Sequence, residues 1–122
     1  MQVTSLNDKS LIACYLEGNE RAFEELLNRH SDVDFLYYNT DINAAGGLLY
    51  CLEKGMDIPG QIGLAGFNSF EVLTGLPMRI ATMDSQRLEI GRRAANLIAA
   101  NELTRDIIKL QPEFLPGDTV RT

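Results

Sequence analysis

VDFLYYNTDINAAGGLLYCLEKGMDIPGQIGLAGFN, residues 33–68, holds a strand, a helix and a second strand in succession. Val33 to Tyr38 is apolar and aromatic, too short for a helix and suited to a buried strand. The polar turn Asn39-Thr40-Asp41 ends it. Ile42, Ala45, Leu48, Leu49, Leu52 and Met56 then recur at helical spacing, Gly55 marks the helix end and Pro59-Gly60 turns the chain. Ile62 to Ala65 reads as the next strand. Two strands joined by a helix form a crossover, which places the strands parallel and the helix on one face of the sheet. The expected fold is α/β, a mainly parallel sheet of three to four strands with helices on its faces.

Upstream, the chain begins as a helical pair. Asn7 and Asp8 can cap a helix carrying Leu11, Ile12, Tyr15 and Leu16, with Gly18 as its stop. Asn19 can cap a second, with Ala22, Phe23, Leu26, Leu27 and His30 on one side. Downstream, residues 66–79 read as a long irregular connection and Ile80 to Met83 as a short strand. Asp84 or Ser85 caps a further helix with Leu88, Gly91, Ala95 and Ile98 on its buried side and Arg87, Arg92 and Arg93 solvated. Pro112 and Pro116 confine any strand between Ile107 and Leu115 to a sheet edge. The whole chain, 1–122, is expected to be one domain, made of a helical segment 1–30 and an α/β segment 31–122.

The totals narrow the function. With 122 residues, 45% of them hydrophobic and 23% charged, the chain has room for one core. A net charge of −6 argues against a nucleic-acid surface, which needs clustered Lys and Arg to displace counterions. The sequence shows neither a membrane span nor a signal peptide, so a cytoplasmic protein is expected. Cys14 and Cys51 lack partners at metal-ligand spacing and read as small buried apolar residues. His30 is the only histidine, which excludes a His-dependent triad or a multi-His metal site within one chain. Gly46-Gly47, Gly60 and Gly63 lack the spacing and the Lys-Ser/Thr ending of a phosphate loop. Asp41 and Asp84 exist as two carboxylates, but nothing in the sequence fixes them as an acid-base pair. No enzyme, cofactor or metal is expected.

From Asp34 onward the ordered segments NTD, AAGGLLYCLEKG, IPGQIGLAGFN, IATMD and EIGRRAANLI resemble the lactose-repressor and galactose-repressor family of bacterial regulators, especially its gluconate-type members. The resemblance covers residues 31–122 and implies part of a periplasmic-binding-protein-like effector domain. It implies that Asn39, Thr40, Asp41, Phe67 and Asn68 line a cleft for a sugar or sugar acid. Strand ends of an open α/β sheet are a physically sensible place for such a cleft. The same residue types also cap helices and close turns. Two positions depart from the family pattern: Thr40-Asp41 stands for its usual Asn-Asp, and Asn68 for its usual Asp. The helix-turn-helix headpiece, the N-terminal lobe and the earlier strands are absent from this sequence.

Residues 7–30 resemble instead the opening helices of extracytoplasmic-function sigma factors, through Tyr15, Gly18 and the run Ala22-Phe23-Glu24-Glu25-Leu26-Leu27. The two resemblances together imply a chimera of transcription-factor fragments, natural or engineered, with no intact biochemical function. The alternative is a sugar-acid-binding module of a regulator lacking its DNA-binding domain. In the first case Leu11, Ile12, Tyr15, Phe23, Leu26 and Leu27 must cover the sheet. The family resemblance further implies a homodimer through the helix around Leu48, Leu49 and Leu52 and the loop around Leu73 and Leu76. A swap of the first two helices about Ser31-Asp32 is a further expectation.

Overall fold

The computed structural model describes residues 2–102 and 104–122. In chain order the elements are α1 (Asp8–Leu16), α2 (Glu20–Arg29), β1 (Phe35–Tyr37), α3 (Asp41–Glu53), β2 (Gly63–Phe67), β3 (Ala81–Asp84), α4 (Arg87–Ala99) and β4 (Glu113–Leu115), with short 3-10 turns at Val3–Ser5 and Glu71–Gly75. The sheet runs β1-β2-β3-β4; the first three strands are parallel and β4 returns antiparallel. This is the expected α/β architecture, with the helical pair in front and the strand between Pro112 and Pro116 at an edge.

The core forms where α3 lies on the sheet. Ala44, Leu48 and Cys51 from α3 meet Ile62 and Leu64 from the β2 region and Ile80 from the entry to β3. Tyr38 follows β1 and lies so close to α3 that any side chain on Gly47 would clash with its ring. A Cβ there would force the helix off the sheet. The helical pair closes the same core: Phe23 of α2 stacks on Tyr15 at 4.4 Å and meets Tyr50 of α3 edge-on at 4.9 Å, an arrangement aromatic quadrupoles favour. Leu11 is buried and Leu27 packs against the core, whereas Ile12 and Leu16 are exposed. One helical face is therefore shared between the core and solvent.

The C-terminal tail locks the sheet from the far side. Gly117 passes too close to the Arg79 and Ala81 backbone to tolerate a side chain. Asp118 pairs with Arg79 at 2.9 Å, and the fully buried Thr119 donates to the Leu64 carbonyl at 2.7 Å while accepting from the Ala81 amide at 3.0 Å. Thr119 thus bridges β2 and β3 near their N-terminal ends. Arg121 then ties the tail to Asp34 at 3.1 Å.

Several expectations need correction. β1 is not buried on both sides: it is an outer strand, with Phe35 and Tyr37 exposed and only Leu36 half-covered. None of α4's residues is buried, and Leu88, expected on its inner side, is 90% exposed. The apolar stripe of α4 is real, but among the described residues it only shares the lining of a shallow groove with Ile108 and Leu110. Its cap is Gln86, in the left-handed region at φ 58°, with the Asp84 carboxylate accepting from the Gln86 amide at 2.7 Å. Cys51 is buried as expected, but Cys14 is only half-buried.

Truncating Phe23 to Ala removes the wedge between α2 and α3 and is expected to cost about 3–5 kcal/mol in urea unfolding; an unchanged midpoint would show that the helical pair is not part of the core. Burial pushes the Tyr38 and Tyr15 hydroxyls, which share a 3.3 Å hydrogen bond, above the usual tyrosine range. A raised native value favours the neutral form, so this stability is complete below about pH 10 and is lost as pH rises through the native values. The urea midpoint should fall between about pH 9 and about pH 11, and Tyr38→Phe should flatten that fall.

Candidate functional site

The C-terminal ends of β1, β2 and β3 lie side by side because the strands are parallel and in register. Asn39 and Thr40 follow β1, Asn68 and Ser69 follow β2, and Ser85 and Gln86 follow β3. Thr40 is the cap of α3, its hydroxyl accepting from the Asn43 amide at 3.3 Å. Asn39 is exposed and receives a 3.3 Å bond from the Asn43 side chain. Asn68 accepts from the Ser85 hydroxyl at 2.9 Å, which links the ends of β2 and β3. Phe67 is half-buried beneath them.

Asp41 does something different. Its side chain is fully buried at the first turn of α3. One carboxylate oxygen accepts from the Thr82 hydroxyl of β3 at 2.6 Å, and the other from the Phe70 amide beyond β2 at 2.6 Å. Thr82 also receives the Ser69 amide at 3.3 Å. The carboxylate lies directly against β2, where any side chain on Gly66 would collide with it. Both oxygens are therefore engaged within the chain, so Asp41 is a brace for three elements.

This brace explains the backbone after β2. Asn68 and Ser69 have φ of 96° and 56°, a region that costs ordinary residues of order 1 kcal/mol. Consecutive amides in such a turn form a concavity that attracts anions. Here the Ser69 amide points to Thr82 and the Phe70 amide to Asp41, so the chain fills its own concavity. A ligand at the strand ends must be held by side chains instead.

Arg87, read from the sequence as merely solvated, belongs to this rim. It starts α4, lies over the Phe70 ring at 4.5 Å and donates to the Ser69 carbonyl at 3.3 Å. Glu71 is a longer-range partner at 3.7 Å. The guanidinium is thus pre-positioned beside Asn68 and Ser69 while remaining partly exposed. Its proximity depends on the connection 68–71 folding back over the strand ends, which no local sequence signal revealed. By contrast, Arg92 and Arg93 both pair with Glu89, holding its carboxyl down at about 2, and lie along the exposed helix.

The residues expected at a dimer surface divide. Leu48 is fully buried, because the inner face of α3 is set by Ala44, Leu48 and Cys51; Leu49 and Leu52 are exposed, and Leu73 and Leu76 pack partly on the core. Among the described residues, no group of three or more His, Cys, Asp or Glu side chains could hold a metal ion, and no helix is long and apolar enough to cross a membrane.

No family model matches the chain. A crystal structure of a LacI family transcriptional regulator from Silicibacter pomeroyi is 56% identical, superposes with a TM-score of 0.70 and covers 79% of this chain and 30% of that one. The chain is homologous to the effector-binding region of LacI/GalR-family regulators. A second LacI family regulator from the same organism, 25% identical with a TM-score of 0.73, covers 96% of this chain and 40% of that one. The transcriptional regulator GntR of Pseudomonas aeruginosa is 35% identical over 80% of this chain, and IdnR of Escherichia coli 25% identical over 94%. The chain spans about a third of the length of these two regulators, 29% and 35%. The sigma-factor likeness of residues 7–30 finds no support in these matches.

If Asp41 is the brace that the geometry describes, Thr82→Val leaves a buried acceptor unsatisfied and should cost about 1–3 kcal/mol. The comparison to make is with Thr74→Val, an exposed threonine whose loss should be nearly silent in the same melt.

Proposed function

We propose that this chain is the effector-binding part of a LacI/GalR-type transcriptional regulator and that its ligand is a polyhydroxylated acid, such as gluconate, taken at the ends of β1, β2 and β3. The observation that carries this reading is Arg87, held by Phe70 and the Ser69 carbonyl beside Asn68 and Ser85. A guanidinium offers a planar fork that matches a carboxylate, and Asn39, Asn68 and Ser85 offer amides and hydroxyls that match ligand hydroxyls. Phe67 supplies an apolar floor. The site is one wall of a cleft, and a second wall comes from a partner surface. Association into a homodimer fits the exposed Leu49 and Leu52.

A second reading makes the chain a folded composite with no intact function, its first thirty residues joined to a family fragment. It rests on the reading of residues 7–30 alone, because single regulators align with 94% and 96% of this chain. In either reading the chain acts as a regulator-derived module and not as an enzyme, and no nucleic-acid contact is assigned to it.

Thermal-shift titration separates the two. Saturable stabilisation by gluconate that is reduced about tenfold or more in affinity by Arg87→Gln, corresponding to about 1.4 kcal/mol or more, supports the effector reading. The same substitution should leave any affinity for neutral hexoses nearly unchanged. Cooperative melting with no shift from any sugar acid or hexose would leave the composite reading.

A further inference from the structure

We infer that Asn68, held in one orientation by Ser85, sets the charge preference of the strand-end rim: it presents a neutral donor beside Arg87 and so admits a ligand carboxylate where an acidic side chain would exclude it. The inference rests on the effector reading and adds a selector to it. The Asn68 amide donates to the Met83 carbonyl at 2.8 Å, which carries the β2–β3 ladder one residue past the end of β2. Its φ of 96° lies on the left-handed side, which asparagine tolerates better than most side chains. The side chain is half-buried, and its Oδ1 accepts from the Ser85 hydroxyl at 2.9 Å. A side-chain amide has one accepting end and one donating end. With the carbonyl end fixed on Ser85, the NH2 end is the one left for a ligand oxygen.

Arg87 reaches the same place through the neighbouring residue. Its guanidinium donates to the Ser69 carbonyl at 3.3 Å and covers the Phe70 ring at 4.5 Å. Consecutive residues after β2 are thus bonded to Ser85 and Arg87, two residues apart at the entry to α4. Two sets of donors, one charged and one neutral, are held on one rim.

The sign of that rim depends on the carboxylates around it. Asp41 is buried and spends both oxygens on Thr82 and the Phe70 amide. Asp84 accepts from the Gln86 amide at 2.7 Å. Glu71 stands 3.7 Å from the guanidinium on a side chain that is 87% exposed, where solvent screens it. A carboxylate at position 68 would differ from all three. Fixed at the strand end beside Arg87, it would offer the planar partner that a guanidinium fork prefers and cancel its charge. It would also set acceptors against the acceptors of an acid and repel them. An amide of nearly the same shape does neither, so at this position the charge of the side chain, and not its size, decides which ligands enter.

The test is the affinity of the full chain for gluconate and for glucitol, the neutral polyol of the same carbon chain, by titration calorimetry at about pH 7, with a melting curve for each variant. Wild type should bind gluconate the more tightly. Asn68→Gly keeps the left-handed backbone accessible and removes only the donor; it should weaken gluconate about three- to tenfold. Asn68→Asp, although nearly isosteric with asparagine, should weaken gluconate at least about tenfold beyond the glycine variant and should not weaken glucitol. Ser85→Ala and Ser85→Asp repeat the contrast across the hydrogen bond, at a position without the left-handed backbone, and there too the charged variant should be the more damaging for gluconate. Equal losses in the charged and uncharged variants, or a loss in Asn68→Asp shared by both ligands, would overturn the inference and leave the effector reading standing. A wild type that does not bind gluconate would overturn both.

Discussion

The buried carboxylate of Asp41 fixes the geometry on which everything at the top of the sheet depends. It sits at the positive end of α3, where the helix dipole and free amides favour an acceptor. From there it reaches Thr82 in β3 and the Phe70 amide beyond β2. Three elements distant in sequence are thereby held to one point, and each has adapted to it. Gly66 leaves room for the carboxylate, and Asn68 and Ser69 adopt a costly backbone to present an amide. A buried acceptor left unpaired is expensive, so satisfaction of both oxygens turns the site into an all-or-none arrangement.

Much of this fold could be read from residue order. The strand-helix-strand unit followed from apolar run length and helical spacing, because local periodicity is enough to tell the two apart. What periodicity does not contain is a neighbour. Val33 to Tyr38 looks like an interior strand, and becomes an outer strand only because nothing pairs beyond it. Leu88 and Ile98 trace a proper inner face of a helix, yet α4 finds no layer to cover it. Both departures have the same cause: local periodicity fixes which side of an element is apolar and says nothing of what lies against it.

The candidate site was legible by type and not by role. Asn39, Thr40, Asp41 and Asn68 were identifiable as polar groups at strand ends, but the same residues suit caps, braces and ligands alike. Only tertiary contacts assign Thr40 to capping, Asp41 to bracing, and Asn39 and Asn68 to the open rim. Arg87 was overlooked because three arginines in one helix suggest one solvated face. Its separation from Arg92 and Arg93 depends on Phe70, seventeen residues before Arg87, and no spacing rule reaches that far.

The brace also restricts what kind of recognition the rim can perform. In many α/β proteins an anion is captured by backbone amides at a helix start or in a turn. Here the turn after β2 spends its amides on Thr82 and Asp41, and the start of α3 is capped by Thr40. Negative charge on a ligand must then be met by a side chain, and Arg87 is the cation fastened at that place. It is held by a ring face and a carbonyl, and its one carboxylate partner, Glu71, stands at 3.7 Å without a hydrogen bond. Under the proposed effector reading, specificity would reside in one guanidinium and a few neutral polar groups, an arrangement suited to acids bearing hydroxyls.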